Sequence, residues 1–242
     1  MTGVASMSLL VLTEDGSDGA IRALVACMLS LVDPAYRADR CRMEPVRAKI
    51  LRGNAWKDRN RYDEAVDLAR SVATKLLEGS TSFVVWHIDG DTTWKRQKDS
   101  TNLAQFHKTF EIKLRQVMKQ QHVDDADIEV ALKRLFVLMP FYSVEAWTYQ
   151  NTEVAAKACG CRERDAHTQL FDAWRADRGL LDEVSMPKDA ICLTDRLNVE
   201  LAEQAYPAAD VDRAQKSFAA AVKHLRDSAE LVRAVAATSG EG

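Results

Sequence analysis

Along the first 140 residues, short apolar runs alternate with longer stretches whose apolar positions recur every three or four residues. Residues 8–13, SLLVLT, form such a run, stopped by Glu14-Asp15-Gly16-Ser17-Asp18, and that length with a turn-rich border predicts a buried strand. Ile21, Leu24, Val25, Met28, Leu29 and Val32 then mark an amphipathic helix halted by Asp33-Pro34. Residues 43–51 predict a second strand closed by Gly53-Asn54, and Tyr62, Ala65, Val66, Ala69, Val72, Ala73, Leu76 and Leu77 a second helix ended by Gly79-Ser80. The clearest strand is 83–88, FVVWHI, rich in β-branched and aromatic residues. A long helix follows through Leu103, Phe106, Phe110, Leu114 and Val117, then a shorter one at 128–132 and a strand at 135–139.

This alternation predicts an α/β fold with a parallel-dominated sheet flanked by helices. Beyond Pro140 the strand signal stops, and 143–158, 162–176, 188–205 and 210–235 all read as helices. The expected division is therefore an α/β domain over 1–140 and a helical region over 141–242 packed on it. No internal repeat is visible, and a chain of 242 residues is long enough for an ordinary core.

Composition refines this in two places. The net charge of −3 argues against a basic, free-standing nucleic-acid binder, yet it hides an asymmetry. Nine basic residues between Arg37 and Arg61, among them Arg42, Arg47, Lys49 and Arg52, face only Asp39, Glu44 and Asp58, so that block carries +6 and leaves −9 for the rest. It is a candidate phosphate-guiding face, or a solvated charged surface. The five cysteines are odd in number and lack a CxxC pair, as expected of thiols in a reducing compartment; Cys159-Gly-Cys161 alone is a weak metal or redox signal. The longest apolar run, 23–32, is too short to cross a bilayer, and the N-terminus lacks a signal peptide's charged start, so a soluble, cytoplasmic protein is expected.

Candidate chemistry gathers where strands end. In open α/β sheets, ligands bind at the carboxyl ends of the strands. The first predicted strand ends at Glu14 and the third at Asp89-Gly90-Asp91. Residues two apart on an extended segment share a side, so Asp89 and Asp91 are expected to share one cation, with Glu14 as third ligand or general base. Each also has a plain structural reading: Asp-Gly-Asp is a common turn, and Glu14 and Asp18 suit a helix N-terminus. His87 falls on the side of Phe83 and Val85 and reads as a core histidine. Lys95 and Arg96, close by in sequence, are candidates for neutralising phosphate.

This order of motifs resembles the Toprim domain of topoisomerases, primases and OLD-family nucleases, in which a glutamate follows the first strand near a glycine and a DxD pair follows a later one. The matching residues are Glu14 with Gly16, then Asp89 and Asp91. LTEDGSDGAIRAL (12–24), VVWHIDGD (84–91), MPFYSVEAW (139–147) and KSFAAAVKHL (216–225) are similar to segments of small RloB-like Toprim proteins of bacterial defence loci. The resemblance implies a Mg²⁺- or Mn²⁺-dependent nuclease site at Glu14, Asp89 and Asp91, with Glu145 as a fourth candidate ligand. It also implies a role in defence against phage, nucleic acid as partner, and a companion ATPase or other defence protein. Asp15 between Glu14 and Gly16 departs from the usual Glu-Gly. Glu145 reads equally as a brace for the helix beginning near Ser143, and Trp147 as core.

Three other readings stay open. Asp89-Gly90-Asp91-Thr92-Thr93 also looks like the DxDxT of haloacid-dehalogenase phosphatases, although that motif normally follows the first strand; a DxD glycosyltransferase is a more distant option. A non-catalytic binding or assembly module working with an ATPase or toxin is the non-enzyme alternative. DNA, RNA, tRNA and nucleotides all carry the phosphates such a site needs.

Overall fold

The computed structural model describes residues 7–13, 18–47, 62–159, 164–187, 193, 195–214 and 216–239. Four strands, β1 (Met7–Thr13), β2 (Cys41–Arg47), β3 (Ser82–His87) and β4 (Leu135–Leu138), form one all-parallel sheet in the order β2-β1-β3-β4. The expected α/β layering is therefore present, and β3, the clearest strand in the sequence, is an interior strand whose six residues are all buried. Pro45, which cannot donate to a ladder, sits on the edge strand β2.

Alternation along the strands sorts side chains onto two faces. Leu9, Val11, Cys41, Met43, Phe83, Val85, Phe136 and Leu138 pack to one side. There they meet the stripe Ile21, Leu24, Val25, Met28 and Leu29 of α1 (Asp18–Val32). Leu10, Leu12, Val46, Val84 and Trp86 pack to the other, against α2 (Tyr62–Leu77). That second layer also holds the helix that starts as α3 (Thr101–Gln105), passes through a π-helical turn (Phe106–Glu111) and ends as α4 (Ile112–Gln120), together with α5 (Asp125–Leu132). The wider π turn keeps residues spaced by four on the sheet-facing side. Phe106 and Phe110 both meet Trp86 edge-on, at 5.0 and 4.1 Å between ring centroids.

The C-terminal helices do not build a wholly separate core. α9 (Asn198–Glu203), α10 (Ala208–Asp212), α11 (Ser217–Arg226) and α12 (Ala229–Ser239) supply Ala202, Val211, Phe218, Val222, Leu231 and Val235 to the α1 face of the sheet. Gly19 lets α1 and α9 approach closely: a Cβ there would lie 3.0 Å from a Val199 methyl. A smaller cluster, with Tyr149, Cys159, Phe171, Trp174 and Leu181, lies among α7 (Thr152–Ala158), α8 (Arg164–Ala176) and the 3₁₀ segment Arg178–Glu183.

Two continuous helices expected from the pattern are broken. The 143–158 stretch is the single turn α6 (Glu145–Thr148) and then α7, because Gln150 and Asn151 turn their amides onto distant carbonyls, Arg178 for the first and Leu201 and Gln204 for the second. The 210–235 stretch is divided among α10, α11 and α12, with Asp227-Ser228 between the last two, where Ser228 Oγ accepts from the Leu231 amide and starts α12.

Candidate functional site

The chain leaves β1 by α1 on one face to reach β2, and returns by α2 on the other face to β3 on the opposite side of β1. The strand order thus reverses between β1 and β3, which makes their carboxyl ends the edge where a crevice opens in such sheets. Thr13, fully buried, closes β1, and Asp89, Gly90 and Asp91 follow β3 at that edge. Glu14, the next residue after Thr13 in the sequence, lies outside the described residues.

The acid turn is held against the segment after β4. The amides of Ile88, Gly90 and Asp91 donate to the carbonyls of Leu138, Pro140 and Tyr142 at 3.0, 3.2 and 3.0 Å. Gly90 suits this closeness: a Cβ would stand 3.0 Å from the Pro140 carbonyl oxygen and 3.3 Å from Met139 Cγ, tighter than ordinary contact. Asp91 is not extended as the i, i+2 reasoning assumed; its φ is 49°, in the left-handed region that Asp tolerates better than most residues. A shared side for the two carboxylates therefore does not follow from strand geometry. Instead, Asn102 of α3 ties the turn, its Nδ2 donating to the Asp89 carbonyl at 2.8 Å and to Asp91 Oδ2 at 2.7 Å.

Asp89 keeps 30% of its side chain exposed, and its Oδ1 lies 3.3 Å from Nε2 of His87. His87 itself is buried, edge-on to Trp147 at 6.3 Å, on the sheet face that its spacing predicted. Glu145 is buried too, with Oε2 accepting from Ser143 Oγ at 2.6 Å and Oε1 from Asn198 Nδ2 at 2.9 Å, while Thr148 Oγ1 donates to Asn198 Oδ1 at 3.1 Å. That geometry is the brace for α6. Behind it, Trp147 Nε1 donates to Ser217 Oγ at 2.7 Å, and the Ser217 hydroxyl and amide both donate to Asp182, at 2.5 and 2.8 Å. Burial pushes the Asp182 carboxyl up to about 6, against the pull of those hydrogen bonds.

The basic candidates are dispersed. Arg42 pairs with Glu44 at 3.0 Å, and its partner across the ladder is Ser8, near the amino end of β1. It is five residues from the carboxyl end of β2, about 16 Å along the strand. Arg47 ends β2 beside Thr13, on the edge that carries the acids. Lys49 and Arg52 lie outside the described residues. Lys95 reaches Glu183 at 3.8 Å and Arg96 pairs with Asp99 at 3.0 Å, both side chains largely exposed. They lie in the 3₁₀ segment Trp94–Asp99, which Trp94 anchors edge-on to Phe141 at 4.5 Å.

No protein-family model, curated protein or solved structure matches the chain. What the site can do therefore rests on its own atoms. Among the described residues no three His, Cys, Asp or Glu side chains group closely enough to hold a metal. The described donors at the acid edge are the two carboxylates of Asp89 and Asp91, hard oxygen ligands of the kind Mg²⁺ takes one or two of beside water and phosphate. The chemistry of that donor set fits Mg²⁺ or Mn²⁺. Sequence reasoning missed Asn102, whose signal is faint: an amide one residue after the start of a helix capped by Ser100. It also missed Asp182, which stands in no quoted motif, and Ser217, which falls in the 216–225 segment quoted above with nothing local to mark its hydroxyl.

Proposed function

We propose that this protein is a Toprim-type, Mg²⁺- or Mn²⁺-dependent phosphodiester-cleaving protein acting on nucleic acid, an effector in bacterial defence. The observation that carries the reading is the position of Asp89 and Asp91 on the carboxyl edge of β3, beside β1, where the strand order reverses. Glu14, next in sequence after the last residue of β1, is the third acid of the reading. Bound there, the metal would polarise a phosphoryl oxygen and ionise an attacking water. Asp89 and Asp91 would supply its carboxylates, with His87 Nε2 lying 3.3 Å from Asp89 Oδ1 on the buried side. Glu145, both oxygens already engaged, is assigned to bracing α6 rather than to the metal. Arg47, the last residue of β2 beside Thr13, is the basic candidate that the ladder brings to the same edge.

The test is metal-dependent cleavage of single- and double-stranded DNA, RNA and tRNA, with Mn²⁺ binding measured alongside. Asp89→Asn preserves shape and removes charge, so turnover should fall by roughly a hundredfold or more while the fold survives. Cleavage that ignores both the metal and Asp89→Asn would end the nuclease reading. Metal and nucleic-acid binding without turnover would instead favour an assembly module.

A further inference from the structure

We infer that Asn102 is the positioning residue of the acid pair, the group that sets Asp91 for metal binding; this rests on the metal-site reading above. Its amide group faces the Asp89 backbone carbonyl, which can only accept, at 2.8 Å and the Asp91 carboxylate oxygen Oδ2 at 2.7 Å. Only the NH₂ end can face them, and its two hydrogens match the two acceptors one for one. One side chain therefore joins the backbone of the first acid to the carboxylate of the second.

Asn102 can do this because it is itself fixed. Ser100, nearly fully buried, caps α3 by accepting from the Leu103 amide at 3.3 Å. The same helix then carries Phe106 and Phe110 onto Trp86 of β3, the strand that leads into the acids. The turn is thus gripped from one side by the segment after β4, through the Gly90 and Asp91 amides, and from the other by α3, through Asn102. Such a grip holds Asp91 at a φ of 49°, a left-handed conformation that Asp tolerates better than most residues but that still costs it more than extended backbone. Without Asn102, the Asp91 carboxylate is free to leave the orientation that the metal requires.

The experiment is Mn²⁺ affinity, read by electron paramagnetic resonance on the full chain, for wild type, Asn102→Ala, Asp89→Asn, Asp91→Gly and the Asn102→Ala/Asp91→Gly pair. Glycine at 91 removes the carboxylate in a backbone conformation glycine favours. Asn102→Leu, which keeps the side chain's bulk without its donors, repeats the test should alanine disturb α3. Both Asn102 variants should remain folded and bind Mn²⁺ about 10- to 100-fold more weakly, the usual effect of losing a group that orients a ligand. In the Asp91→Gly background the further loss should be several-fold smaller, because the partner is gone. Unchanged affinity in Asn102→Ala and Asn102→Leu, or an equal loss in both backgrounds, overturns the role of Asn102 while Asp89→Asn still reports the site. If wild type and Asp89→Asn alike bind no Mn²⁺, the metal-site reading falls and this inference with it.

Discussion

Asp182 offers a stability test that can be worked out from its surroundings. Its carboxylate is 3% exposed, accepts from the amide and hydroxyl of Ser217, and faces Lys216, Glu183 and Tyr206; Lys95 and Lys216 in turn reach Glu183. Burial outweighs the hydrogen bonds and raises its folded value to about 6 from an ordinary 3.8. The folded state therefore holds this proton more tightly than the unfolded chain does. The resulting stabilisation is full below about pH 4 and is lost as pH rises through about 6. Two pH units at about 1.4 kcal/mol each give roughly 3 kcal/mol. Urea unfolding of wild type and Asp182→Asn, followed by tryptophan fluorescence from pH 4 to 7.5, isolates the effect. Glu78, Glu111 and Glu129, whose carboxyls are held low by Lys75, His107 and Arg115 partners, slope the other way but do so in both proteins and cancel in the difference. Relative to Asp182→Asn, wild type should lose about 2.4 kcal/mol across that range, because an unfolded carboxyl of 3.8 is already more than half ionised at pH 4, and most of the loss falls between pH 4 and 6. A difference flat to within about 0.5 kcal/mol would mean that Asp182 titrates normally, and that water or a cation reaches it.

Gly90→Ala should destabilise the fold by about 1–3 kcal/mol, because the new methyl meets backbone oxygen, which cannot rotate away; denaturant midpoints check this, and an unchanged midpoint would mean the turn has slack. Replacing Arg47, Lys49 and Arg52 together with alanine should weaken nucleic-acid binding and flatten its salt dependence, by about 0.9 in log–log slope for each duplex phosphate that is no longer neutralised. Arg42→Ala, tied to Glu44 toward the other end of β2, should change the slope little, and equal effects of the two substitutions would assign the block to diffuse charge.

Much of the fold was legible because it depends on short-range periodicity. The strands at 8–13 and 83–88 and the helix at 62–77 stand within one residue of where the pattern put them, since a period of two or of 3.6 is set by which face must be buried. The helix breaks were hidden for the opposite reason. Gln150 and Asn151 end α6 through carbonyls 28, 50 and 53 residues away in sequence, and no local window contains those partners. Asp227-Ser228 differs in that it carries a local signal, a capping pair between two apolar stripes, which the reading of 210–235 as one helix passed over.

The candidate site divides along the same line. That Asp89 and Asp91 reach a carboxyl edge follows from the strand ending just before them, which the local pattern shows; that this edge lies beside β1 is set by the strand order β2-β1-β3-β4, which alternation narrows but does not fix. How the carboxylates point is decided by contacts that sequence spacing cannot supply. Tyr142 accepts the Asp91 amide, Asn102 takes its carboxylate, and Asp91 turns left-handed between them, so the i, i+2 rule for extended chain no longer applies. Glu145 shows the same logic from the other side. Its place in the EAW segment made it a candidate ligand, but Ser143 and Asn198 engage both oxygens, and Asn198 is 53 residues away. A carboxylate's role is thus set less by its motif than by the donors already pointed at it, and those donors come from the helices that close over the sheet.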